Sequence, residues 1–287
     1  MSSVAVVLNN ATTIDAGPEL RGVFERCVPF LDAQRSVLDI ILLEPFDSPT
    51  SLDLTLLKIY GTSRNILLKQ KLYTTPINVL FNVSMEAYSR MKWDVVFLSD
   101  RLLQDAFPHR QIELFDSPAM AAAGPVESGG RDKYAVSALG GTFDHLHDGH
   151  KILLSVAALV TASRLIVGIT DEELLRNKKY REQLQSFDER CDNVCSFLHR
   201  LKPGLEIKIF ALHDVCGPTG SEPGIEALVV SEETVAGAQT INDTRESKGM
   251  RKLAVHVVNV LGGEEADKWK NKLSSTELRR RLMNEDS

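Results

Sequence analysis

Cysteine is scarce: Cys27, Cys191, Cys195 and Cys216 are the only four in 287 residues. They are too few and too scattered for a disulfide framework. Cys191 and Cys195 lie four apart in a helical pattern and read as small buried side chains, not as half of a zinc site. No apolar run reaches the roughly 18 residues of a membrane span. The first twenty residues, MSSVAVVLNNATTIDAGPEL, carry no basic stretch ahead of an apolar one. A cytoplasmic chain without a membrane span is the resulting expectation. Positive charge is not in excess, since 33 Lys and Arg face 39 Asp and Glu for a net charge of −6, so composition points to no nucleic-acid partner. Two nucleotide motifs are missing as well. The P-loop pattern GxxxxGK[ST] is absent from the whole chain, and after Gly140 and Gly141 the next glycine is Gly149, which breaks the dinucleotide fingerprint GxGxxG.

What is present is the composition of an ordinary globular protein, 43 % hydrophobic and 25 % charged, long enough for two domains. The stretch DSPAMAAAGPVESGGRDK is rich in Ala, Gly, Pro and Ser and has no apolar period, so 116–133 reads as a linker. It separates an N-terminal domain, 1–115, from a C-terminal one, 134–287. In the first, apolar runs VAVVL, LDIILLE, INVLF and DVVFLSD alternate with helical stretches such as ELRGVFERCVPFL and SMEAYSRMKW. A small α/β domain follows from that alternation, with no assignable chemistry.

The second half alternates more cleanly. YAVSALG, RLIVGIT, LEIKIFAL, ALVVS and LAVHVVNVL read as strands. GHKILLSVAALVTAS reads as a helix, as does SFDERCDNVCSFLHRL, which opens with the capping box Ser186 and Glu189. Strands this continuously apolar suit a parallel sheet covered on both faces. The expected fold is therefore a doubly wound, Rossmann-like α/β domain preceded by a smaller α/β domain, with ligands at the carboxyl ends of the strands.

The segment LGGTFDHLHDGHK falls between the first strand and first helix of that domain, where such folds bind phosphates. Gly140 and Gly141 allow amides to approach a ligand, Thr142 adds a hydroxyl, and Gly149 leaves room at the helix start. His147 and His150, three apart, can both donate to one phosphate. Two other readings stand at this point: a zinc site from His145, His147 and His150, and a polar loop whose histidines cap a helix. Near the end of the chain, LSSTELRRRL pairs Ser274 with Glu277 in a second capping box, so Ser274, Ser275 and Thr276 open a helix that carries Arg279, Arg280 and Arg281.

TFDxxHxGH after a first strand, together with SSTELR, resembles the signature of the HIGH-type nucleotidyltransferases. The stretches GGTFDHLHDGHKILLSVA, VGITDEELLRNK, LQSFDERCDNVCSFL, CGPTGSEPGIEALVVSEET and AGAQTIN resemble, in order, the eukaryotic, fungal-type phosphopantetheine adenylyltransferases. That resemblance implies transfer of AMP from ATP to 4′-phosphopantetheine in coenzyme A biosynthesis, giving dephospho-coenzyme A and pyrophosphate. It implies that Gly140, Gly141, Thr142 and Phe143 meet the phosphates and that His150 stabilises charge on the α-phosphate while His147 assists on the triphosphate. Lys178, with Lys179 as the alternative, binds acceptor phosphate, and Ser231, Glu232, Glu233 and Thr234 recognise nucleotide. Ser274, Ser275 and Thr276 bind the triphosphate. The bacterial enzymes carry arginines in the loop occupied here by SEET, and Arg279 is the residue expected to neutralise the distal phosphates in their place.

A phosphate monoester is already an anionic nucleophile at neutral pH, so catalysis falls to alignment and to donors and cations. His150, Lys178 and Thr142 are the expected catalytic groups. Mg²⁺ accompanies ATP and bridges the departing pyrophosphate, with no metal ligand from protein side chains. The next phosphorylation needs a P-loop kinase, which points to other coenzyme A pathway enzymes as partners. A nicotinamide mononucleotide adenylyltransferase, a cytidylyltransferase and an idle nucleotide-binding scaffold are the alternatives.

Overall fold

Apolar, β-branched runs form the strands of both halves, and the stretches between them form covering helices. A computed structural model describes residues 2–9, 11–12, 18–32, 35–115, 134–259 and 274–285, so the linker expected over 116–133 lies outside the described residues. The chain divides into two units, Met1–Gly130 and Arg131–Ser287.

In the first unit, strands β1 (Ser2–Leu8), β2 (Ser36–Leu42), β3 (Ile77–Leu80), β4 (Trp93–Leu98) and β5 (His109–Leu114) make one sheet in the order β3-β2-β1-β4-β5. Every pairing is parallel. Central β1 is buried from Val4 to Leu8, as a strand covered on both faces must be. Helices α1 (Pro18–Cys27), α2 (Pro49–Lys69) and α3 (Met85–Ser89) complete the unit. Pro29 ends the regular helix that ELRGVFERCVPFL suggested, and Val28–Phe30 continue as a 3₁₀ turn. Helix α2 starts where Ser48 accepts from the Ser51 amide and Pro49 supplies a preset φ.

The second unit repeats the plan. Strands β6 (Tyr134–Gly141), β7 (Thr161–Thr170), β8 (Glu206–Leu212), β9 (Ala227–Ser231) and β10 (Ala254–Val258) run parallel in the order β10-β9-β6-β7-β8. Helices α4 (Asp148–Val160), α5 (Phe187–Leu201), α6 (Val235–Ser247) and α7 (Ser275–Glu285) complete it. Strand order reverses between β6 and β9, and the crevice at their carboxyl ends is the place for a ligand.

Two local details differ from the sequence expectation. Helix α4 stops at Val160 and Thr161 already pairs in β7, so TAS is strand and not helix. Lys202 Nζ closes the junction by donating to the Ala158 carbonyl at 3.2 Å and the Thr161 carbonyl at 2.5 Å. Cys191 and Cys195 on α5 are half-buried, not buried. The Ser186–Glu189 capping box forms as expected.

One fully buried arginine holds the loop before β9. Arg245 donates to the carbonyls of Thr219 (2.7 Å), Glu222 (3.0 Å), Ile225 (3.4 Å) and Arg251 (2.7 Å). Burial pulls its pKa below the usual arginine value, so the bonded carbonyls must offset lost hydration. Arg245→Met leaves those carbonyls without a donor and is expected to cost roughly 2–4 kcal/mol, read as a lower urea midpoint. Arg245→Lys recovers only part of the loss.

Candidate active site

Strand β6 ends in two glycines, and the turn after them is tight. A Cβ on Gly141 would lie 3.1 Å from Cζ of the Phe143 ring, so glycine lets that ring fold back without having to give way. Phe143 and His145 both adopt left-handed backbone, with φ of 51° and 44°. Such strain in non-glycine residues persists only where neighbours enforce it. Here Phe143 is fully buried, and His145 is pinned through its amide to Gln185 Oε1 (2.7 Å) and through Nε2 to the Gln183 carbonyl (2.7 Å). His145 is thus spent on closing the loop and does not converge with His147 and His150. Among the described residues no group of three or more His, Cys, Asp or Glu side chains is placed to hold a metal ion.

The turn delivers His147 as N-cap of α4, with no capping bond from its side chain. The His147 and His150 rings stack with centroids 3.7 Å apart and planes 20° apart, and Phe143 packs 5.3 Å from His150. Nδ1 of His150 is shut away from solvent, and no described residue bonds to it. Desolvation first, and the neighbouring His147 second, hold the His150 pKa well below the ordinary 6.5.

These groups open onto a cavity of about 560 Å³ at the carboxyl ends of β6 and β9. Gly140, Gly141, Thr142, Phe143, His147 and His150 line one side, and Lys178 reaches in from the turn after β7. Ser231, Glu232, Glu233 and Thr234 line it from the end of β9, and Ser274, Ser275, Thr276 and Arg279 from the start of α7. Lys179, the alternative to Lys178, is not among the lining residues. Its side chain is exposed, and its carbonyl accepts from Arg279 Nε at 3.0 Å.

Hydrogen bonds sort the lining hydroxyls by what they can still offer. Ser231 and Thr234 bond mainly to each other, the Thr234 hydroxyl donating to the Ser231 carbonyl at 3.1 Å, which shapes the turn carrying Glu232 and Glu233. Ser275 donates to the Asp144 carbonyl at 2.9 Å. Ser274 accepts from the Glu277 amide (3.3 Å) and Thr276 accepts from Arg279 Nη2 (3.2 Å). Both therefore keep a hydroxyl proton for a ligand.

Sequence reading missed two groups behind the cavity. Asp144, fully buried, accepts from the Gln185 amide at 3.0 Å and pairs with the Arg279 guanidinium. Arg190, also fully buried, donates to the carbonyls of Thr142 (2.9 Å) and Thr170 (2.8 Å), tying together the ends of β6 and β7. Asp148 and Leu153 of α4 and Thr170 of β7 line the cavity without having been singled out. Arg279 itself is 2 % exposed, and its three nitrogens are committed to Lys179, Asp144 and Thr276. It borders the cavity as a bonded group and not as a mobile cation.

The model of the cytidylyltransferase-like family matches residues 138–281, which span all of these elements. A phosphopantetheine adenylyltransferase of Thermococcus kodakarensis is 35 % identical over 50 % of this chain and 86 % of its own length. A solved structure of a protein of unknown function from Archaeoglobus fulgidus is 36 % identical, covering 43 % of this chain and 97 % of its own, with a TM-score of 0.38. The phosphopantetheine adenylyltransferase of Saccharomyces cerevisiae is 46 % identical over 93 % of this chain and 90 % of its own length, so both units are matched. Identity of that extent over nearly the whole of both chains places this chain in the phosphopantetheine adenylyltransferase family, within the cytidylyltransferase-like proteins.

Proposed function

We propose that the cavity transfers AMP from ATP to the phosphate of 4′-phosphopantetheine, forming dephospho-coenzyme A and releasing pyrophosphate. The observation that carries this reading is the meeting of two helix starts, those of α4 and α7, on one cavity. Helix starts present unpaired amides and positive dipole ends, and two of them suit a chain of phosphates.

The roles follow from what each group has left to give. With Nδ1 enclosed, the cheaper tautomer places the proton on Nε2, because a buried N–H without an acceptor is rarer than a buried lone pair. Nε2 then donates to the α-phosphate as charge builds there. His147 and Thr142 meet neighbouring phosphate oxygens, and the hydroxyl protons of Ser274 and Thr276 serve the β- and γ-phosphates. Lys178, on an exposed turn, brings a mobile cation to the acceptor phosphate. Glu232 and Glu233 at the end of β9 face the nucleoside, where carboxylates accept from its amino or hydroxyl groups.

The acceptor phosphate attacks phosphorus in line as pyrophosphate departs, and preorganised donors lower that barrier. Mg²⁺ enters as part of the MgATP substrate. No helix among the described residues is long and apolar enough to cross a membrane. We place the activity in the cytoplasm, linked to other coenzyme A enzymes through the metabolites they exchange.

Pyrophosphate release, assayed with ATP and 4′-phosphopantetheine and compared with nicotinamide mononucleotide and with CTP plus an alcohol phosphate, tests the reading. Turnover is expected with the first pair alone. ATP binding without turnover on any acceptor would leave a scaffold in its place. Because the archaeal relative matches only half of this chain, a fragment beginning at Lys133 is expected to retain the activity. Substituting His150→Ala is expected to lower kcat by roughly 10² to 10³ with the KM for ATP within about tenfold.

A pH prediction follows from the same ring. The folded pKa of His150 lies below its unfolded value of about 6.5, so as pH falls past 6.5 the unfolded chain takes up the proton first. Its contribution to stability is present above 6.5 and drains away as pH drops towards the folded pKa. An NMR titration of the unliganded chain should find this imidazole still neutral where exposed histidines have charged, and His150→Gln should flatten that part of the stability curve.

A further inference from the structure

We propose that the buried Asp144–Arg279 pair is a latch that docks the start of α7 onto the phosphate loop, making both positioning residues for the nucleotide and neither a direct phosphate ligand. The proposal rests on the reading of the cavity as an ATP site. Its basis is one guanidinium with three commitments. Arg279 joins the carboxylate of Asp144, in the loop after β6, to the Lys179 carbonyl beside Lys178 and to Thr276 at the start of its own helix. Ser275 adds a second tie, to the Asp144 backbone. The three parts so joined are the phosphate loop, the lysine turn and the serine-rich helix start, and each of them lines the cavity.

Stability alone does not account for the pair. Asp144 is fully buried and the Arg279 side chain is 2 % exposed, and taking both ions out of water costs about what their attraction returns. What an ion pair with a planar, forked donor adds is register, since a guanidinium meets three acceptors in fixed directions. Elsewhere on α7, Arg280 and Arg281 pair with Glu277 of the same helix, at 2.7 and 2.9 Å, and tie it to nothing beyond itself through those bonds. Helix α7 is only 11 residues long, too short to be stable by propensity, so its placement has to come from contacts such as these.

Three variants of the full chain test the latch: Asp144→Asn, Arg279→Gln and the two together. Steady-state kinetics gives KM for ATP and kcat, and hydrogen exchange follows the amides of α7. Each single change is expected to raise the KM for ATP by roughly tenfold or more, with a smaller change in kcat. Exchange in α7 should accelerate in each, while β6, β7 and β9 stay protected. The double variant should be no worse than the worse single, because an opened latch leaves nothing further to lose.

Effects that multiply in the double variant, with Arg279→Gln far worse than Asp144→Asn, would overturn the proposal and make Arg279 a phosphate ligand. So would Asp144→Asn with its KM for ATP within about twofold of wild type and α7 still protected. Should a single variant fail to fold, the double, whose two amides replace two buried ions, carries the test: wild-type KM for ATP there also overturns the latch. If the wild-type chain itself releases no pyrophosphate, the activity reading fails, and exchange in α7 still decides the latch.

Discussion

A carboxylate with no exposure to water must be answered by a cation, and Asp144 is answered by Arg279 from 135 residues further along the chain. The shape of the cavity depends on that meeting. It sets the phosphate loop against the start of α7, and through the Lys179 carbonyl it holds the turn that carries Lys178. Arg190 does the same work on the strands, donating to the carbonyls of Thr142, just past β6, and Thr170, the last residue of β7. The front of the cavity is thus shaped by charges at its back, which are bonded before any ligand arrives.

This arrangement suits the reaction. Two polyanions must come together, and the acceptor phosphate needs no base to make it nucleophilic. A site crowded with free cations would hold ground state and transition state alike. A site that adds to Lys178 mainly amides, hydroxyls and an imidazole is weaker towards resting phosphates and strengthens where charge accumulates. Burial beside a second histidine pulls the His150 pKa below its ordinary value, and in the proposed reaction the same enclosure makes its N–H count for more against the α-phosphate.

Much of this could be read from the sequence wherever the signal is local. The run from Gly140 to His150 announces a strand end, a tight turn and a helix start within a dozen residues, and the Ser274–Glu277 spacing announces a second helix start. The resemblance to phosphopantetheine adenylyltransferases agrees with the family to which the chain belongs. What stayed hidden depends on contacts remote in sequence. Nothing in LQSFDERC tells that Arg190 faces the carbonyls of Thr142 and Thr170, and nothing in SSTELRRR tells which of three arginines turns inward. Strand β5, HRQIEL, escaped because an exposed edge strand needs no apolar period. At Val160–Thr161, apolar positions recurring at three- and four-residue intervals suggested continuation, whereas pairing of Arg164 and Leu165 with β6 draws the backbone into the sheet. The first unit shares the strand order of the second, yet its sequence has no counterpart of GGTFDHLHDGH, which shows how little of the chemistry resides in the fold.

The most direct test is a crystal structure of the full chain with a non-hydrolysable ATP analogue and Mg²⁺. The α-phosphate should lie against His150 and Thr142, with the β- and γ-phosphates at Ser274 and Thr276 and the Asp144–Arg279 pair still closed behind them. A triphosphate bound away from the start of α7, or one that draws Arg279 out of its pair with Asp144, would contradict this arrangement.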